Sequence, residues 1–65
     1  MTDFPQIQVR APKFELYQLV VLYWNEQEHV TQIVRRWLDL EDGYWWYKVQ
    51  ELEQLYPEDA FGVAQ

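Results

Sequence analysis

Residues Glu41 to Tyr47 carry most of the recognition chemistry in this chain: two acids and a glycine lead into Tyr44-Trp45-Trp46-Tyr47. Aromatic faces attract a guanidinium or ammonium group through the ring quadrupole, an effect worth about 0.5–1 kcal/mol at an exposed site. Carboxylates beside the rings add charge attraction for the same guest. Tyr44, Trp45, Trp46, Glu41 and Asp42 are therefore candidate binding residues for a basic partner. Each ring taken singly suits a core position better than a recognition surface, because small domains depend on aromatic burial. Four adjacent rings exceed what so small a domain buries, so part of the run is expected at the surface.

Other chemistry is sparse. Serine and cysteine are absent, leaving Thr2 and Thr31 as the only aliphatic hydroxyls and no thiol nucleophile. His29 is the single histidine, so paired-histidine metal motifs are missing, and it reads as an exposed strand-end residue. Gly43 and Gly62 are the only glycines, too few for a phosphate-cradling loop. Asp39, Glu41 and Asp42 lie close together but lack the spacing and internal glycine of a calcium loop, and read as a solvated turn. The expectation is a protein without catalytic activity, cofactor or bound metal.

The elements that must position the rings follow from patterning. Asp42-Gly43 ahead of an aromatic run is a β-hairpin signal. In a strand over Tyr44–Leu52, Trp45, Tyr47 and Val49 share one face, and Tyr44, Trp46, Lys48 and Gln50 share the other. The first set is more apolar and is expected to face the core, making Trp46 the more exposed of the tryptophan pair. The partner strand is expected over Val30–Leu38, joined through Asp39–Gly43. Val30, Ile33, Val34, Trp37 and Leu38 also fall at helical spacings, with Asn25 and Glu28 as a cap. The β-branched residues Val30, Thr31, Ile33 and Val34 favour the strand.

Phe14–Trp24 is apolar on both strand faces, as expected at the centre of a small closed barrel, with Asn25-Glu26-Gln27 as a polar connection. Pro57 suits the first position of a single helical or 3₁₀ turn near residues 57–60, and Phe61-Gly62-Val63 suits a closing strand. Residues 1–13, with Pro5 and Pro12, read as an extended arm holding an edge strand around Ile7 and Val9. Residues 14–65 read as one domain.

Acidic residues and Gly43 before Trp45-Trp46, followed by Tyr56-Pro57, Phe61 and Val63, resemble the second half of SH3-like and Tudor-like domains. The Gly43–Val49 stretch also looks like that of small bacterial SH3-like barrel proteins of unknown function. The resemblance covers residues 14–64 as architecture and is specific over 41–63. It implies a mainly β fold, a small SH3-like antiparallel barrel with a short helical turn. In SH3 domains the first tryptophan of the pair contacts the ligand together with a proline and a late aromatic. Those roles would fall on Trp45, Pro57 and Phe61, whereas the pleat selects Trp46.

Eleven acids against five bases give a formal charge of −6. Phosphate binding relies on clustered Lys and Arg, and here only Arg35 and Arg36 are adjacent, so nucleic acid is disfavoured. An acidic body suits a basic partner. Glu51, Glu53, Glu58 and Asp59 follow Lys48 with no further cation and read as a solvated acidic face. The apolar run Leu19–Trp24 is far short of the roughly 20 residues that span a bilayer, and no secretory signal is apparent. A cytoplasmic, soluble protein without membrane contact is expected. The leading function is a protein-interaction module presenting an aromatic, acid-rimmed surface to a basic or extended peptide or a partner subunit. The alternatives are a structural accessory subunit or homo-oligomer that buries the rings, and a nucleic-acid-associated protein.

Overall fold

A computed structural model describes residues 10–64, and the edge strand expected around Ile7 and Val9 lies outside them. Five strands, β1 (Leu19–Trp24), β2 (Gln27–Asp39), β3 (Tyr44–Val49), β4 (Leu55–Pro57) and β5 (Phe61–Val63), form an antiparallel sheet ordered β4-β3-β2-β1-β5. A single 3₁₀ turn, Glu58–Ala60, follows Pro57 and precedes β5. The fold is mainly β, with the helical turn where the proline signal places it. Among the described residues, no helix is long and apolar enough to cross a membrane.

The Glu28–Leu40 region, open to two patterns in the sequence, is strand as far as Asp39, with Leu40 in the turn. β-branched side chains crowd a helical turn but pack well on a pleated surface. The β2–β3 connection is fixed by its own polar groups. Gly43 adopts a φ of 71°, and its N–H donates to the Asp39 carbonyl at 2.8 Å. The carboxylates of Asp39 and Asp42 accept the N–H groups of Glu41 and Tyr44 at 3.0 and 2.9 Å. The acids of this loop thus hold its backbone in shape.

β1 and β2 meet through a two-residue turn, Asn25-Glu26, with Trp24 opposite Gln27. Both turn residues are left-handed, at φ 53° and 64°, as tight hairpins require. Asn tolerates this region, whereas Glu26 has no such local compensation. Glu26→Gly is expected to stabilise the domain by about 0.5–1 kcal/mol. Urea denaturation checks this; an unchanged or lower midpoint would contradict it.

One irregularity organises the long β2 strand. Its pairing with β3 passes from Ile33↔Val49 directly to Arg35↔Lys48, leaving Val34 as an extra, bulged residue. Before the bulge Thr31 and Ile33 are buried; beyond it Arg36 and Leu38 stand opposite Tyr47 and Trp45. A bulge bends the strand and raises its twist. β2 can therefore pair with β1 along its first part and with β3 along its second.

The extents of β1, β2 and β3 all differ from the sequence reading: β2 runs over Gln27–Asp39 rather than Val30–Leu38, which takes Gln27 out of the expected connection and into the strand. β1 begins at Leu19, because Tyr17 takes a φ of 68° and its N–H turns to the Ile33 carbonyl at 2.7 Å. Phe14 is buried from outside the strand. β3 ends at Val49, short of Leu52. The two-sided apolarity of β1 is also only half used: Val20 and Leu22 are buried, while Leu19 and Tyr23 are exposed.

Tyr47, fully buried, sits in the middle of the core. The rings of Phe14 and Phe61 meet it edge-on, each at 5.5 Å between centroids. Such T-shaped pairs add about 0.5–1.5 kcal/mol beyond their area burial. Ile33, Leu22 and Val49 are fully buried in the same core cluster.

Candidate functional site

Pro57 sets the start of the 3₁₀ turn, which buries Glu58 and leaves Asp59 exposed. Glu58 is only 3% exposed, so the expectation that it joins a solvated acidic face is overturned. The cause is local demand for an acceptor. Glu58 Oε2 accepts the Tyr47 O–H at 2.6 Å and the Lys13 backbone N–H at 3.1 Å. Its other oxygen, Oε1, lies 4.0 Å from Arg10 Nη2. Burial first, then the hydrogen bond to Glu58, raises the Tyr47 phenol above the ordinary tyrosine range.

Asp59 accepts the Tyr44 O–H at 2.6 Å. That hydrogen bond, followed by the Asp59 charge, raises the Tyr44 phenol and keeps it a neutral donor. The Arg10 guanidinium carbon lies 5.7 Å from the centroid of the Tyr44 ring. Trp45 Nε1–H donates to the Arg10 carbonyl at 2.6 Å. Tyr44, Trp45 and Glu58 thus converge on a single arginine, with Asp59 fixing Tyr44 in place. A ring face, an indole donor and a carboxylate oxygen match the guanidinium and backbone of an extended basic residue.

The candidate residues divide among three settings. Tyr44 and Trp45 are half-buried and belong to the arginine-holding cluster; Trp45 also packs against the core. Trp46 is half-buried too, in register with Trp37 on one side and Pro57 on the other. Neither tryptophan of the pair is therefore simply exposed. Glu41 and Asp42 remain in the exposed hairpin turn. Phe61 is buried among Tyr47, Phe14 and Tyr56, so its ring faces the core.

Arg10 and the inward Glu58 had no local signal, because their contacts with Trp45, Lys13 and Tyr47 join distant segments. Trp37, like the other tryptophans, fits either the core or a recognition surface by sequence, and it is 63% exposed. Its outward direction depends on the bulge at Val34.

A concavity of about 140 Å³ lies away from the arginine cluster, between Leu22, Trp24, Gln27, His29 and Leu52. His29 Nε2 is 2.5 Å from Glu51 Oε2, a hydrogen bond that holds the Glu51 carboxyl below the usual range. The buried Thr31 hydroxyl has no hydrogen-bond partner among the described residues. His29 is exposed near the start of β2, as expected, and is paired there with Glu51, which lies just beyond β3. Among the described residues, no group of three or more His, Cys, Asp or Glu side chains is placed to hold a metal ion.

No family model matches this chain, and neither the curated proteins nor the solved structures contain a match to it.

Proposed function

We propose that the protein is a non-enzymatic interaction module whose Tyr44–Trp45 surface binds an extended, arginine-bearing segment of a protein partner. The observation that carries this reading is the position of Arg10, its guanidinium between the Tyr44 ring and Glu58 Oε1. The site already accommodates the chemical group that its rings and acids suit. The formal charge of −6 would favour encounter with a basic partner. The resemblance of residues 41–63 to SH3-like domains agrees, since the first tryptophan there is a ligand-contacting residue.

The test is an NMR titration of the full chain with short arginine-containing, lysine-containing and glutamate-containing peptides. Shifts at Tyr44, Trp45 and Asp59 are expected with arginine peptides foremost. Tyr44→Ala should weaken that binding about 2–5-fold, the loss of one exposed cation–π contact. An absence of shifts around residues 44–47 and 58–59 at millimolar peptide would sink the proposal.

The outer face of β1 and β2 supports a second reading, that of a self-associating or accessory subunit. Val21 and Val30 are cross-strand partners there, flanked by exposed Leu19 and Tyr23. Contiguous apolar surface of this kind commonly marks association. Sedimentation at high concentration decides the self-associating form, and a clean monomer removes it.

A further inference from the structure

We infer that residues 10–12 are a hinged, built-in competitor for the arginine site, displaced by a partner segment that carries an arginine followed two residues later by proline. This deepens the proposed arginine-binding reading and rests on it.

The segment is held very unequally at its two ends. At the inner end, the Lys13 N–H is bound to the buried Glu58 carboxylate, and the next residue, Phe14, is buried against Tyr47. That end belongs to the core. At the outer end the Arg10 side chain is 59% exposed. Among the described residues, its holding contacts are an ion pair at 4.0 Å, a ring at 5.7 Å and one hydrogen bond from Trp45. Contacts of this exposed class favour the closed position by a factor on the order of 10–100 together.

The chemistry between the ends supports a swing about Lys13. Pro12 has a fixed φ and no N–H to donate, and it restricts Ala11 to extended conformations. The segment therefore moves as a short extended unit. Glu58 divides its two oxygens between the two ends. Oε2 serves Tyr47 and Lys13 whether the outer end is docked or not, while Oε1 faces the arginine. When Arg10 leaves, Tyr44, Trp45 Nε1–H and Glu58 Oε1 are left facing a vacated position. A partner with the order arginine, spacer, proline would offer the same guanidinium, the same carbonyl and the same extended backbone. Its apparent affinity falls by the fraction of molecules in which the site is open.

The probe is acetyl-Arg-Ala-Pro-Lys-amide, titrated into the 65-residue chain and into its Arg10→Ala and Arg10→Gln variants. The Trp45 indole N–H resonance reports occupancy. Both substitutions keep the residue-10 carbonyl and the Lys13 N–H, so the hinge stays in place. The variants are expected to bind the peptide at least about 5-fold more tightly than the unmodified protein. Before peptide is added, their Trp45 indole protons should exchange with solvent faster by a similar factor. A peptide with alanine in place of arginine should not bind. Equal affinities for the unmodified protein and the variants would overturn the built-in competitor while leaving the arginine site standing. Failure of all three proteins to bind at millimolar peptide would overturn both.

Discussion

Replacing Glu58 with alanine is expected to destabilise the domain by about 2–4 kcal/mol, because two donors lose a charged acceptor together. The Tyr47 hydroxyl and the Lys13 N–H both end on Glu58 Oε2, and Tyr47 is fully buried, so water cannot easily replace the acceptor. A 65-residue domain at typical per-residue stability has only about 3–10 kcal/mol in total. The loss would be a large share of that. Glu58→Gln keeps the shape and one acceptor oxygen, and should cost roughly half as much. Chemical denaturation of both variants measures the difference. A change below about 0.5 kcal/mol in the alanine variant, the range of ordinary surface substitutions, would show that Glu58 acts as a surface acid.

Tyr47→Ala should be more severe, at about 3–5 kcal/mol, and should leave much of the protein unfolded at ambient temperature. The ring holds edge contacts with Phe14 and Phe61 at once, and its removal opens a void between those two rings. Tyr47→Phe separates packing from hydrogen bonding. It keeps the ring but deprives the Glu58 carboxylate of a donor, at a cost of about 1–3 kcal/mol. Circular dichroism melting of the two variants ranks these effects, and a Tyr47→Ala variant as stable as the parent would refute the assignment of this ring to the core.

The same phenol sets an alkaline limit. Its folded pKa is raised above the ordinary tyrosine value of about 10, first by burial and then by the Glu58 hydrogen bond. The stabilisation from keeping it protonated is therefore complete below pH 10 and declines as pH rises beyond that value. In Tyr47→Phe this particular contribution to alkaline destabilisation should disappear.

The parts of the molecule that the sequence disclosed are those fixed by neighbours along the chain. Alternation over Trp45, Tyr47 and Val49 identified the inward face of β3, because the pleat has a period of two and no interruption there. The Asp42-Gly43 turn and the Pro57 turn were legible because each rests on the conformational limits of one residue. The arginine cluster was legible only on its aromatic side. Tyr44 and Trp45 were visible in the run, but Arg10 reaches Trp45 across 35 positions and Lys13 reaches Glu58 across 45. Nothing near Glu58 distinguishes it from Asp59, one solvated and one enclosed. The contest between Trp45 and Trp46 had no single winner, since one packs on the core while the other lies between Trp37 and Pro57.

Val34 shows how little length separates a flat sheet from a folded-over one. With this residue in place, Ile33, Arg36 and Leu38 fall on one face, and the strand bends between them. A chain one residue shorter at this point would keep that alternation without the bend. A chain with regular pleating through Val34 would instead turn Arg35 and Trp37 inward. Length at position 34 therefore controls curvature separately from hydrophobic pattern. Any comparison of kindred sequences should treat a gap there as a change of shape, even where every apolar position still aligns.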